Sequence, residues 1–344
     1  MTITSAGRTS IQAVLHAFCR RWLASMLVVA MVLMQFARIS AAASSPSKVT
    51  VHVPSKSLAI MPYYFGKDKG FFAAEQIEPQ LVMMSPPTAI AALVAGELDF
   101  STTTGAATSA IMRGLPLRRV FYVQQDPVHA LVAQPEIRSV RDLVGKAVGV
   151  TALTDAVGMS ASVILRANGI EAGKVTLLAV QVTDNAIQSL LTKRVAATLL
   201  APPYVQELEA KGYVKLVEAR EYAPLSFIGL VSSIEAIKKN SQKVYGMIAA
   251  LHRTMTFILN PANRSEVIQY VSTYHKIDLP LAEKAFAAQM LGYSKDGTKP
   301  RAAVEREIEI YRESLKVAKS FTPEDLEDMS LLRKVQETAP TKSR

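Results

Sequence analysis

Two stretches gather hydroxyl and amide donors with almost no charge. Ser101-Thr102-Thr103-Thr104-Gly105 follows Leu98-Asp99-Phe100, and Ser85-Pro86-Pro87-Thr88 precedes Ala89 to Ala95, a run of helix formers. Thr88 can cap that helix, because its hydroxyl can accept from an orphan backbone N–H, and Gly96 can end it in a left-handed conformation. Helices are also expected to start at Asn185 and Pro203. Helix starts and the Thr103-Thr104-Gly105 loop would aim N–H groups at a ligand, and dipoles without a full counter-charge suit carboxylates, sulfonates and similar oxyanions. The bland alternative is that they are ordinary caps.

Further candidates sit at strand ends. Ser57 follows the strand Lys48 to Val53, and Gln124 lies at the end of the strand Leu117 to Gln124. Tyr63 and Tyr64 are neighbours on a helix and diverge, so one flanks a cleft while the other packs in the core. In Thr154-Asp155 the carboxylate either caps the helix that starts at Ala156 or faces the ligand, where it favours a cationic or hydroxylated group. Tyr204 either closes over the ligand or packs beside Pro203.

Catalytic signatures are absent. His52, His129, His252 and His275 show no metal-pair spacing, and His52 alternates with core valines. There is no Gly-x-Ser-x-Gly elbow, phosphate loop or dinucleotide fingerprint. No cofactor, metal or enzymatic activity is expected.

The elements that position these residues read as two similar units. At a spacing of 97 residues, Thr88 to Phe100 (TAIAALVAGELDF) lies over Asn185 to Ala197 (NAIQSLLTKRVAA). Around each copy, strands and helices alternate at a pace that implies a parallel sheet covered on both faces. From Ile234 onward helices dominate, the last opening at Thr322-Pro323-Glu324-Asp325.

The chain has 344 residues, 49% hydrophobic and 20% charged, enough for one large or two medium domains with real cores. Residues 1–43 carry Arg8, Arg20, Arg21 and Arg38, no acid, an apolar run from Trp22 to Phe36, and Ala41-Ala42-Ala43 before Ser44. This is the layout of a cleaved secretory signal peptide, with an uncleaved anchor as the alternative. Arg20-Arg21 raises twin-arginine export, although its flanks match poorly. The single cysteine, Cys19, precedes the apolar run, so the exported chain would have no thiol, which suits an oxidising periplasm. Without those four arginines the balance is 35 basic to 29 acidic residues, or +6, with the signs interspersed. No basic block with interleaved aromatics argues for nucleic acid.

The ordered set MPYYFGKDKGFF, AALVAGELDFS, SVRDLVGKAVGV and APPY, with Asp-Leu-x-Gly-Lys at Asp142 to Lys146 as its most specific piece, resembles the periplasmic substrate-binding proteins of ABC importers. Within them it is similar to the nitrate/sulfonate/taurine-type branch, which includes relatives of thiamin pyrimidine-precursor synthases. The resemblance implies an α/β periplasmic binding protein type II fold: two Rossmann-like lobes joined by two crossover strands, with a helical C-terminal tail packed on the first lobe. It implies lobe 1 over 44–135 and 225–344, lobe 2 over 136–224, and hinges near Ala133 and Leu225. It also implies a small, at least partly anionic solute and an inner-membrane permease as partners, with a monomer expected. The enzyme relatives carry a cysteine-rich motif that the exported chain lacks. A ligand-sensing role beside a signalling partner is the remaining alternative. Relatives often carry Asp where this chain has Ala196, the counterpart of Asp99, and a supporting role for that carboxylate is the simpler reading.

Overall fold

The computed structural model describes residues 46–338, so the expected leader over 1–43 and Cys19 lie outside the described residues. The first run of elements is Ser47–Val53 (β1), Met61–Asp68 (α1), Phe71–Ala74 (α2), Ile77–Met83 (β2), Pro86–Ala95 (α3), Phe100–Thr103 (β3), Thr104–Met112 (α4) and Leu117–Tyr122 (β4). The second is Ala130–Ala133 (β5), Ala147–Val150 (β6), Ala156–Ala167 (α5), Thr176–Ala179 (β7), Thr183–Leu191 (α6), Ala197–Leu200 (β8), Tyr204–Glu209 (α7) and Val214–Glu218 (β9). The chain returns at Ile228–Ser233 (β10) and continues as helices Ile234–Lys239 (α8), Ser241–Leu259 (α9), Arg264–His275 (α10), Leu279–Met290 (α11), Arg301–Leu315 (α12), Pro323–Leu326 (α13) and Ser330–Thr338 (α14).

Two five-stranded sheets result, ordered β2-β1-β3-β10-β4 and β7-β6-β8-β5-β9. They are mixed, where an all-parallel arrangement was expected. β10 runs antiparallel to β3 and β4, and β5 antiparallel to β8 and β9. The reason is the double crossover. A strand arriving from the other lobe enters from the opposite end and pairs in the opposite sense.

The 97-residue echo is structural. Val51 pairs with Phe100 and His52 with Ser101, and at the same offset Val148 pairs with Ala197 and Gly149 with Thr198. The Asp99 amide donates to the Thr50 carbonyl (3.2 Å), as the Ala196 amide does to that of Ala147 (2.8 Å). Asp99 Oδ2 also accepts from the Thr50 amide (2.8 Å) and hydroxyl (2.9 Å), while Oδ1 takes Lys243 Nζ at 3.1 Å. The carboxylate therefore pins β1 to β3 and holds a tail helix, the supporting role read from sequence.

Two boundaries, the first crossing and the last helix, differ from expectation. β5 belongs to the second sheet, so the first crossing lies over 123–129, not near Ala133, and Ala130–Ala133 leaves the first lobe. The second crossing covers 219–227. Thr322 opens only a short helix, and a further helix begins at Ser330. The Asp142 to Lys146 pattern is a turn device: Asp142 Oδ2 accepts the Arg138 and Ser139 amides, and Gly145 takes a positive φ of 78°.

One core runs through the first sheet and the tail. Val49, Val51, Phe65, Phe100, Leu251, Phe286 and Tyr311 are all sealed within it. Phe65 and Phe71 meet Phe257 at 5.5 and 5.7 Å between ring centroids, so the tail packs on the first lobe. Two smaller clusters cover the two faces of the second sheet.

A buried charge cluster joins distant parts of the first lobe. Glu307 on α12 accepts from Arg119 NH1 on β4 (2.9 Å) and from Ser226 Oγ (2.6 Å), and lies 3.3 Å from Lys299 Nζ. Arg119, Lys299 and Glu307 have fully buried side chains. Burial alone would raise the Glu307 carboxyl, but Arg119 and Lys299 outweigh it and hold it below the usual range. Removing one partner from such a buried set strands the others. Glu307→Ala is expected to cost about 3–5 kcal/mol in denaturant unfolding; a loss under about 1 kcal/mol would show that the cluster is not needed.

Candidate functional site

Both sheets direct the loops at the carboxyl ends of their strands to one place, where sheets of this kind form their crevice. A cavity of about 40 Å³ lies there. The first lobe contributes Ser55 and Ser57 after β1, and Thr103, Gly105 and Ala106 where β3 turns directly into α4. The second contributes Thr151 after β6, Asp155 and Ala156 at the start of α5, and Thr183 at the start of α6. The two crossings supply rings: His129 stacks on Phe227 at 3.9 Å and 20°. Among the described residues, no lysine or arginine lines the cavity.

The lobes are shut to backbone contact. A Cβ added to Gly105 would lie 2.6 Å from Ala156 Cβ, 2.6 Å from Ala156 N and 2.6 Å from the Tyr311 hydroxyl. Ser109 donates to the Thr154 carbonyl, and the Leu58 amide donates to the Pro202 carbonyl (2.9 Å), so both contacts run from lobe to lobe.

Hydrogen-bond polarity around the cavity can be assigned. His52 is buried and its imidazole is pushed down to about 4 by desolvation, so it is neutral. Its Nε2 lies 3.1 Å from the Met84 carbonyl, which can only accept, so Nε2 carries the proton. Nδ1, 3.0 Å from Ser101 Oγ, must then accept, and Ser101 donates to it. Ser101 has no second proton, so the Thr103 hydroxyl, 3.2 Å away, donates to Ser101. In the second lobe the Thr151 hydroxyl donates to Asp155 Oδ2. Ser55 donates to Ser57 Oγ (3.1 Å), leaving the Ser57 proton free.

Asp155 caps α5 by accepting the Gly158 amide at 2.9 Å. Burial raises its carboxyl to about 6 despite the bonds from Thr151 and Gly158. His129 is pushed down to about 3 by burial, and its Nδ1 is sealed from solvent without a partner. At the start of α4, the Thr104 amide donates to the Phe227 carbonyl (3.2 Å). The Gly105 and Ala106 amides follow in the first turn, where the helix itself provides no acceptor.

Of the residues picked out from sequence, Ser57, Thr103, Gly105 and Asp155 line the cavity, and Thr104 sits within the same turn. The others do not. Thr88 is exposed and is not the cap: Ser85 is, accepting the Thr88 amide at 3.4 Å. Pro86 and Pro87 have no N–H, so that helix start has little left to donate. Asn185 is exposed and spends its amide on the Val180 carbonyl (2.9 Å), while Thr183, two residues earlier, reaches the cavity. Tyr63 is sealed in the core, donating to the Gly229 carbonyl at 2.5 Å. Tyr64 faces Tyr274 (5.2 Å), and Tyr204 meets His275 edge-on (6.3 Å) with its hydroxyl at the Lys56 amide. Pro203, in a cis peptide with Pro202, supports that junction. Gln124 is buried beside β10, its amide donating to the Ile228 carbonyl (3.0 Å). Thr154 offers only its carbonyl, to Ser109.

His129, Phe227 and Tyr311 escaped the sequence reading. The first two lie in crossings with no periodic signal, and Tyr311 comes from the tail. The only available clue was that His129 directly precedes a strand.

Gly105→Ala is expected to hold the lobes apart, read as a larger radius of gyration and faster exchange of the Ala156 amide. Unchanged values would show that this contact does not limit closure. For Asp155, the folded carboxyl titrates near 6 and the unfolded one at its ordinary 3.8, so the folded state binds the proton more tightly. Its stabilising contribution is fullest below 3.8 and is lost as pH rises to about 6. The parent chain should therefore lose up to about 3 kcal/mol relative to Asp155→Asn across that window; a pH-independent difference would refute this.

Comparison with known proteins places this geometry. The alkanesulfonate-binding protein SsuA from Xanthomonas axonopodis pv. citri, bound to MOPS, superposes with a TM-score of 0.66 at 16% identity, over 85% of this chain and 99% of that one. The periplasmic nitrate-binding protein NrtA from Synechocystis PCC 6803 gives 0.68 at 11%, over 86% and 89%. The desulfurization enzyme DSZB gives 0.60 at 12%, over 85% and 99%. These likenesses show the periplasmic binding protein fold. No curated protein matches the chain in sequence. The profile described as NMT1/THI5 like matches residues 57–264, from Ser57 in the cavity through both crossings and into the tail, and the chain belongs to the NMT1/THI5-like family.

Proposed function

We propose that this protein is the solute-binding component of an ABC importer. It captures a small, at least partly anionic molecule between its lobes in the periplasm, after removal of the 1–43 leader, and delivers it as a monomer to an inner-membrane permease. The observation that carries this reading is the meeting of α4 and α6, from opposite lobes, on one cavity flanked by both crossings. First-turn amides and the Ser57 hydroxyl supply donors without a fixed positive charge. A ligand that touches both lobes binds the closed form better than the open one, so it drives closure about the crossings.

Turnover of the pyrimidine-precursor-synthase type is the alternative, since such enzymes and binding proteins share the fold. Turnover of a pyridoxal-phosphate-like substrate, or a lysine placed in the cleft to bind one, would support it, and among the described residues no lysine lines the cavity. The cavity's uncharged hydroxyls and neutral His129 favour capture over catalysis.

Thermal denaturation of the exported chain against sulfonates, carboxylates, nitrate and pyrimidines tests the proposal. A ligand at 100 times its Kd adds about 2.7 kcal/mol, a rise of several degrees in Tm. Gly105→Ala should abolish that rise. If no member of the panel raises Tm, solute capture is refuted.

A further inference from the structure

One polar group at the lobe junction has no partner. The Tyr311 side chain comes from α12 of the tail and is fully buried. Its hydroxyl makes no hydrogen bond among the described residues. Desolvation pushes the phenol well above its ordinary range, so it keeps its proton, and a donor and an acceptor both go unused.

The place of this hydroxyl is fixed from both lobes. A Cβ on Gly105 would lie 2.6 Å from the Tyr311 hydroxyl and 2.6 Å from Ala156 N, so those two atoms are at most twice that distance apart. The hydroxyl therefore sits where α4 and α12 of the first lobe meet the start of α5 in the second. α12 cannot yield, because Glu307, one turn earlier, is held by Arg119, Lys299 and Ser226. Asp155, next to Ala156, accepts from Thr151 and Gly158 and not from Tyr311.

Parting the lobes changes the balance. Ala156 leaves with the second lobe, and water reaches the hydroxyl. Closing removes that water and returns nothing. A buried hydroxyl stripped of its partners is worth about tenfold or more in an equilibrium. The cost falls on the closed form alone.

Resting on the closure step of the solute-capture reading, we propose that Tyr311 is a positioning residue that holds the empty protein open. A ligand that bridges the lobes outweighs the stranded hydroxyl, and an empty cleft does not, so closure reports occupancy. A cleft that rests shut admits no solute, and its apparent affinity falls in proportion to the fraction able to bind. Through this hydroxyl the tail takes part in capture without lining the cavity.

Tyr311→Phe keeps the ring and removes only a hydroxyl that makes no bond, so the fold loses no contact. Cys19 is the only cysteine and precedes the exported chain, so dyes can be placed on Ala91→Cys of α3 and Gln188→Cys of α6, both exposed and on opposite lobes. Single-molecule energy transfer in the exported chain, without solute, then reads the closed-to-open ratio. Tyr311→Phe is expected to raise that ratio about tenfold, with a Tm no lower than the parent's. Adding Gly105→Ala, which blocks the closed form, should cancel the rise. A ratio equal to or below the parent's overturns the inference, whatever happens to Tm, because a merely structural Tyr311 would move Tm alone. No closed population in either chain, or a rise that survives Gly105→Ala, overturns it too. No solute enters the measurement, so an unmoved ratio leaves solute capture standing, while failure of the thermal panel refutes capture and leaves the ratio to be judged on its own.

Discussion

A carboxylate sealed from water, Glu307, holds the first lobe together. It gathers Arg119 from β4, Lys299 from the approach to α12 and Ser226 from the second crossing, and Thr108 of α4 adds a hydroxyl at 3.3 Å. Each of these segments carries something the cavity uses. α4 carries Gly105, the crossing carries Phe227, and α12 carries Tyr311 to the lobe junction. A buried charge with several partners has few alternative arrangements, because every rearrangement strands an ion in low dielectric. The cluster therefore converts a tail that never lines the cavity into a determinant of where the cavity walls stand. Lys299 reinforces this by donating to the Pro224 carbonyl and to Ser226 Oγ, so the returning segment is tied at two points just before Phe227.

The two lobes share a register and differ in chemistry. His52 and Gly149 occupy equivalent positions, yet only the first lobe runs a polar chain from Met84 through His52 and Ser101 to Thr103. In the second lobe Thr198 takes the place of Ser101 and donates to the Gly149 carbonyl at 2.9 Å, ending the chain there. Asp99 has Ala196 as its counterpart, so the second sheet lacks the pin that binds a tail helix. It needs none, since the tail packs on the first lobe.

Much of the fold was legible because its signals are local. Val49, Val51 and Val53 alternate as a strand, Gly96 and Gly169 stop helices with positive φ, and Pro62 opens one. The family motifs supplied the lobes. The sense of β5 and β10 was not legible, because it depends on which end of a sheet the chain enters after crossing. Within the site, Ser57, Thr103, Gly105 and Asp155 follow strand ends and could be found. Thr88 and Asn185 were displaced by local competition: Ser85 caps the first helix, and the Val180 carbonyl claims the second side chain. His129 and Tyr311 were invisible for another reason. Their roles come from contacts between segments far apart in the chain, which no local pattern encodes.

The strand order of the first sheet has a further meaning. β10 lies between β3 and β4, so β4 has no neighbouring strand until Ile228–Ser233 has been made. Arg119 on β4 waits longer still, since Glu307 arrives 188 residues later. The second sheet, by contrast, draws all its strands from one uninterrupted stretch, Ala130 to Glu218. During vectorial synthesis the second lobe can finish while the first remains an open, unneutralised half-sheet. The strands from Ser47 to Tyr122 thereby gain their last pairing partner and their buried counter-charge only once the final third of the chain exists.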